Sequence, residues 1–86
     1  MKQILLTKQA EKSFKLLPKK NQEKTRKQFE LLLTNYRHPS LRARKMSGVN
    51  HFEARINIHY RFTFSLVKEG ILVLTIGLHD EGLGKK

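Results

Sequence analysis

Three short runs place acid, base and phosphate-binding residues at every second position. In 52–58 the odd positions hold Glu53, Arg55 and Asn57, with His51 and His59 alongside. In 60–66 they hold Arg61, Thr63 and Ser65, and the run 71–79 ends on His79. Arginine presents a planar fork of donors that grips phosphate oxygens, so Arg55 and Arg61 are candidate phosphate ligands. Histidine titrates close to neutrality, which suits His79 to proton transfer. Glu53 is a candidate base, or an ion-pair partner for Arg55 or Arg61. Arg42, Arg44, Lys45 and His59 add positive or chargeable groups around them. Such a set can bind RNA and cut it without a metal. A base takes the 2′-hydroxyl proton, an acid protonates the leaving 5′-oxygen, and cations stabilise the phosphorane.

A metal route fits the sequence poorly. It needs several convergent carboxylates. The chain has seven acids, three of them on segments with helical character. Its four histidines lack zinc-ligand spacing, and there is no cysteine to serve as thiolate, nucleophile or disulfide partner. No metal site and no cofactor are expected.

The elements that must position these residues follow from periodicity. Side chains alternate across a strand, so in the three runs the even residues form apolar sets that can share one core. These are Phe52, Ala54, Ile56 and Ile58; Tyr60, Phe62, Phe64 and Leu66; and Leu72, Leu74, Ile76 and Leu78. If the runs pair in order, Glu53, Arg55, Arg61, Thr63 and His79 occupy the opposite face. Upstream, 2–6 reads as a strand, and Thr7 can cap a helix running to Leu17 with Ala10, Phe14 and Leu17 on one stripe. Pro18 stops it. A second helix, 20–36, carries Thr25, Phe29, Leu32, Leu33 and Tyr36, completing an αα-hairpin. Segment 41–46 is expected as a strand, 47–50 as a loop, and Lys68-Glu69-Gly70 as a hairpin turn in which Gly70 takes positive φ. The turn at 57–59 has no glycine. Residues 82–86 read as a tail. The order β-α-α-β-β-β-β describes an α+β domain, 1–86, with helices on one face of a mostly antiparallel sheet.

The charge balance points to the partner. Net charge is +11, and thirteen of the eighteen Lys/Arg fall in residues 1–45 against three acids there. Such a field attracts polyanions: nucleic acid, ribosome or an acidic protein. A membrane is not expected as partner, because no apolar stretch approaches the ~20 residues of a span. The expected location is the cytoplasm.

KMSG at 45–48, EARI at 53–56, YRFTF at 60–64 and IGLHD at 76–80 resemble the RelE/ParE toxin superfamily, closest to its RelE, YoeB and YafQ-type mRNA interferases. The resemblance spans most of the chain. It implies a microbial RNase fold, β-α-α-β-β-β, and a toxin of a type II toxin–antitoxin system. Active members enter the ribosomal A site and cleave mRNA, leaving a 2′,3′-cyclic phosphate. A cognate antitoxin wraps the toxin and blocks the site. The arginine of the family's Y-R strand falls on Arg61, and the basic or histidine residue ending the last strand falls on His79. Functional positions on the two preceding strands fall on Arg44, with Lys45 beside it, and on Arg55. A functional acid in YafQ-like members falls on His59. The family's C-terminal aromatic has no counterpart, since the chain reads Glu81-Gly82-Leu83-Gly84 there. Two other readings share the fold or the charge: a non-catalytic ParE-like toxin that binds a protein such as DNA gyrase, and a plain basic RNA-binding module.

Overall fold

Five strands form one sheet in the order β1-β5-β4-β3-β2. They are β1 (Gln3–Leu6), β2 (Arg44–Lys45), β3 (Phe52–Arg55), β4 (Tyr60–Val67) and β5 (Gly70–Leu78). The computed structural model describes residues 3–46 and 51–78. β1 runs parallel to β5, and the other pairs are antiparallel. Helices α1 (Lys8–Leu16) and α2 (Lys19–Thr34) follow β1. This is the expected α+β architecture. The loop 47–50, the tail 82–86 and His79 lie outside the described residues.

The helices form where the sequence caps and stops them. Thr7 Oγ1 accepts the Ala10 N–H at 3.1 Å, and Pro18 stands at the N-cap of α2. Ala10, Leu17, Phe29 and Leu32 meet Phe62, Phe64, Ala54 and Ile56 in one core. Phe29 meets Phe62 edge-on at 5.3 Å between ring centres. α2 ends at Thr34 rather than 36, with Asn35 already extended.

The parity expected for β3 and β4 holds at Ala54, Ile56, Phe62 and Phe64, which are buried, whereas Leu66 near the end of β4 is exposed. In β5 it reverses part-way. The register steps from Thr63↔Thr75 to Phe64↔Val73, leaving Leu74 as an extra residue. Ile71 and Val73 are therefore buried while Leu72 and Leu74 are only half-buried, contrary to expectation; beyond the bulge Ile76 faces the core as expected. A bulge puts two residues of one strand against one of the other and so exchanges the faces. The structure gives the bulge a partner. Thr7 Oγ1 donates to the Leu74 carbonyl at 2.8 Å, so one hydroxyl serves both the helix cap and the bulge.

Two further expectations are corrected. Segment 41–46 is not one strand. Pro39–Leu41 is a 3₁₀ turn closed by Arg42 in the left-handed region (φ 48°), and only Arg44–Lys45 pair. The strand expected over 52–58 ends at Arg55, leaving Ile58 exposed. The turn after it dispenses with glycine because Asn57 Oδ1 accepts the N–H groups of His59 and Tyr60, at 2.8 and 2.9 Å. Gly70 does take positive φ, 145°. A Cβ there would stand 2.2 Å from the Gln3 carbonyl oxygen, so glycine lets β1 approach β5.

Candidate functional site

The face opposite the core carries two rows of polar residues across the strands. One row is Arg44, Glu53, Thr63 and Thr75 on β2, β3, β4 and β5. The next is Arg55, Arg61 and Gly77 on β3, β4 and β5. Residues directly opposite in neighbouring strands bring their side chains together on one face. The register thus gathers Glu53, Arg55, Arg61 and Thr63, as their parity indicated.

Glu53 is buried, and Arg44 Nε donates to its Oε1 at 2.8 Å. The Glu53 side chain is 10% exposed and that of Arg44 78% exposed, so the acid anchors an outward-reaching cation. The sequence offered Arg55 or Arg61 as the partner of Glu53; the structure pairs it with Arg44. Thr63 and Thr75 hydroxyls lie 2.7 Å apart. They floor a cleft of about 560 Å³ between the first residues of α1 and the β2–β3 pair, which Met46 and His51 flank.

Arg55 and Arg61 face each other directly, both half-buried. Like charges directly opposite one another on neighbouring strands are destabilising on their own. Gly77, the residue opposite Arg61 on β5, puts no side chain on that row. Gln28, buried on α2, donates its amide N–H to the Arg55 carbonyl at 2.8 Å and ties the end of β3 to the helix layer.

Solved structures with the same architecture come from toxins. YafQ from E. coli strain BL21(DE3) superposes with a TM-score of 0.77 at 17% identity, over 98% of this chain and 100% of that one. A chain of the E. coli RelBE toxin–antitoxin complex gives 0.73 at 17%, over 90% and 95%. YoeB from Staphylococcus aureus gives 0.71 at 18%, over 91% and 97%. This chain has the fold of the RelE/ParE toxins. At these identities the likeness is one of fold. No family model matches the chain, and no curated protein matches it by sequence.

On this RelE-like frame the sequence-derived residues separate. Arg44, Glu53, Arg55 and Arg61 share the polar face. Lys45 stands opposite Phe52, and so on the other face of β2. Arg42 is exposed at the 3₁₀ turn before β2, and His59 is exposed in the turn after β3. Thr75 and Gln28 were missed. Thr75 has the right parity beyond the bulge, whereas nothing in the local pattern marks Gln28.

Proposed function

We propose that the chain is the toxin of a type II toxin–antitoxin pair and cleaves mRNA in the ribosomal A site by metal-free attack of the 2′-hydroxyl. The observation that carries this reading is the direct opposition of Arg55 and Arg61 on an otherwise polar sheet face. Two guanidinium groups carried by directly opposed residues suit a phosphate, and more so the extra charge of a phosphorane. Arg44, held by Glu53, adds a third cation two residues along β3. Solved complexes of this fold, DinJ–YafQ and YoeB–YefM among them, support an antitoxin as partner.

In the proposed reaction the 2′-hydroxyl gives its proton to a water molecule, the 2′-oxygen bonds to phosphorus and the bond to the 5′-oxygen breaks. The products are a 2′,3′-cyclic phosphate and a 5′-hydroxyl. Arg55 and Arg61 hold the non-bridging oxygens. His79 gives its proton to the leaving 5′-oxygen. Glu53 acts as a positioning residue for Arg44, since its carboxylate is already engaged. Lys45, Arg42 and His59 contribute RNA contacts outside the reacting centre.

The test is primer extension on mRNA in a purified translation system. Cleavage at A-site codons by the wild-type chain, and its loss in folded Arg61→Ala, is the expected result. Cleavage of an mRNA with 2′-deoxy substitution at the scissile nucleotide would overturn the mechanism.

A further inference from the structure

On the helix side of the β2 edge lies a second groove, of about 510 Å³, lined by Tyr36, Arg37, Ala43, Arg44, Lys45 and Phe52. Three of these residues are cations and none is an acid. Tyr36 and Phe52 meet edge-to-face at 5.7 Å between centroids. The Arg37 guanidinium lies over the Tyr36 ring at 5.7 Å from its centroid. Arg37, Arg44 and Lys45 are exposed, and the two rings are half-buried.

We propose that this groove is a subsite for single-stranded RNA, taking one unpaired nucleobase against Tyr36 with its flanking phosphates on Arg37 and Lys45. The inference rests on the RNA reading above. Unpaired bases stack on aromatic rings and on guanidinium planes, and every base offers such a face. Tyr36 supplies the ring, and Arg37, whose guanidinium lies over that ring, supplies the plane. An acidic peptide would use the cations and leave the rings idle, whereas a nucleotide uses both.

Continuity with the polar face supports the assignment. β2 is the terminal strand of the sheet. Its two residues face opposite ways: Arg44 pairs with Glu53 on the polar face, and Lys45 stands opposite Phe52 on the groove side. An RNA strand leaving Arg55 and Arg61 can thus cross the β2 edge over Arg44 and enter the groove past Lys45.

The test measures binding on the isolated full chain, without ribosomes, by fluorescence anisotropy. The probes are labelled penta-uridylate and a pentamer of abasic ribose phosphates carrying equal charge. The wild type should bind the uridine strand at least about tenfold tighter than the abasic one. Tyr36→Leu should erase that preference and Tyr36→Phe should keep it. Ala43→Leu, which fills the groove and leaves the ring in place, should also erase it, so the test survives a Tyr36→Leu variant that does not fold. Lys45→Ser should weaken both strands alike. Equal binding of the two strands by the wild type, or an undiminished preference in folded Tyr36→Leu and Ala43→Leu, would overturn the proposal. An oligoglutamate peptide whose binding falls in Tyr36→Leu as far as that of penta-uridylate would also overturn it and give the groove to a protein partner. Failure of the nuclease reading is seen separately, as absent mRNA cleavage with the uridine preference intact.

Discussion

At the scale of single residues, the opposed Arg55 and Arg61 separate function from stability. Arg55 is half-buried on the polar face and lies outside the core cluster, so Arg55→Ala should change stability by no more than about 0.5 kcal/mol. The same variant should lower mRNA cleavage by about 10²-fold or more, as expected for a donor aimed at developing charge. Thermal melting beside primer extension checks both halves. A large drop in melting temperature would show that Arg55 is structural. Glu53 allows a sharper distinction. Glu53→Gln keeps an acceptor for Arg44 Nε and loses the charge, so a positioning role predicts most activity retained in Gln and lost in Ala. Equal loss in both would return Glu53 to the role of base. His79→Ala should slow cleavage by at least ~10²-fold if it is the acid.

At the scale of elements, Thr7 joins the cap of α1 to the bulge of β5. Thr7→Ala should cost about 1–2 kcal/mol in urea unfolding, and Thr7→Ser should recover most of it. The bulge also sets which β5 residues matter. Ile71→Ala, at 3% exposure, should cost about 2–5 kcal/mol, and the half-buried Leu72→Ala clearly less. The reverse order would place the bulge wrongly. The same element shows what the sequence reveals and what it hides. β3 and β4 were legible because polar and apolar residues alternate strictly through Glu53–Arg55 and Arg61–Thr63. In β5, Ile71, Leu72, Val73 and Leu74 are all apolar, so no pattern fixes the phase. The phase comes from the bulge at Leu74, whose carbonyl accepts the Thr7 hydroxyl. β2 was overestimated because the left-handed Arg42 interrupts an otherwise strand-like run. The Arg44–Glu53 pair depends on the register across 47–50, which no local pattern determines.

At the scale of the whole molecule, the field of an 86-residue chain with net charge +11 governs encounter. A cognate acidic antitoxin should associate at a rate that falls at least about tenfold between low and high salt, because steering is screened beyond the Debye length. Stopped-flow mixing reads this directly. The antitoxin and penta-uridylate should compete if the antitoxin covers the face from Arg44 to Arg61. Simultaneous binding at full affinity would place inhibition elsewhere.

The pairing of β1 with β5 also sets a clock. Thr7 and Leu74, which hydrogen-bond across that junction, lie 67 positions apart. At the usual pace of ~5–20 residues per second, roughly 3–13 s of synthesis separate them. Until Gly70 and the strand after it emerge, β1 has no partner, the α1 cap lacks its second anchor, and β4 lacks one of its two neighbours. The sheet is therefore complete only once β5 has left the ribosome.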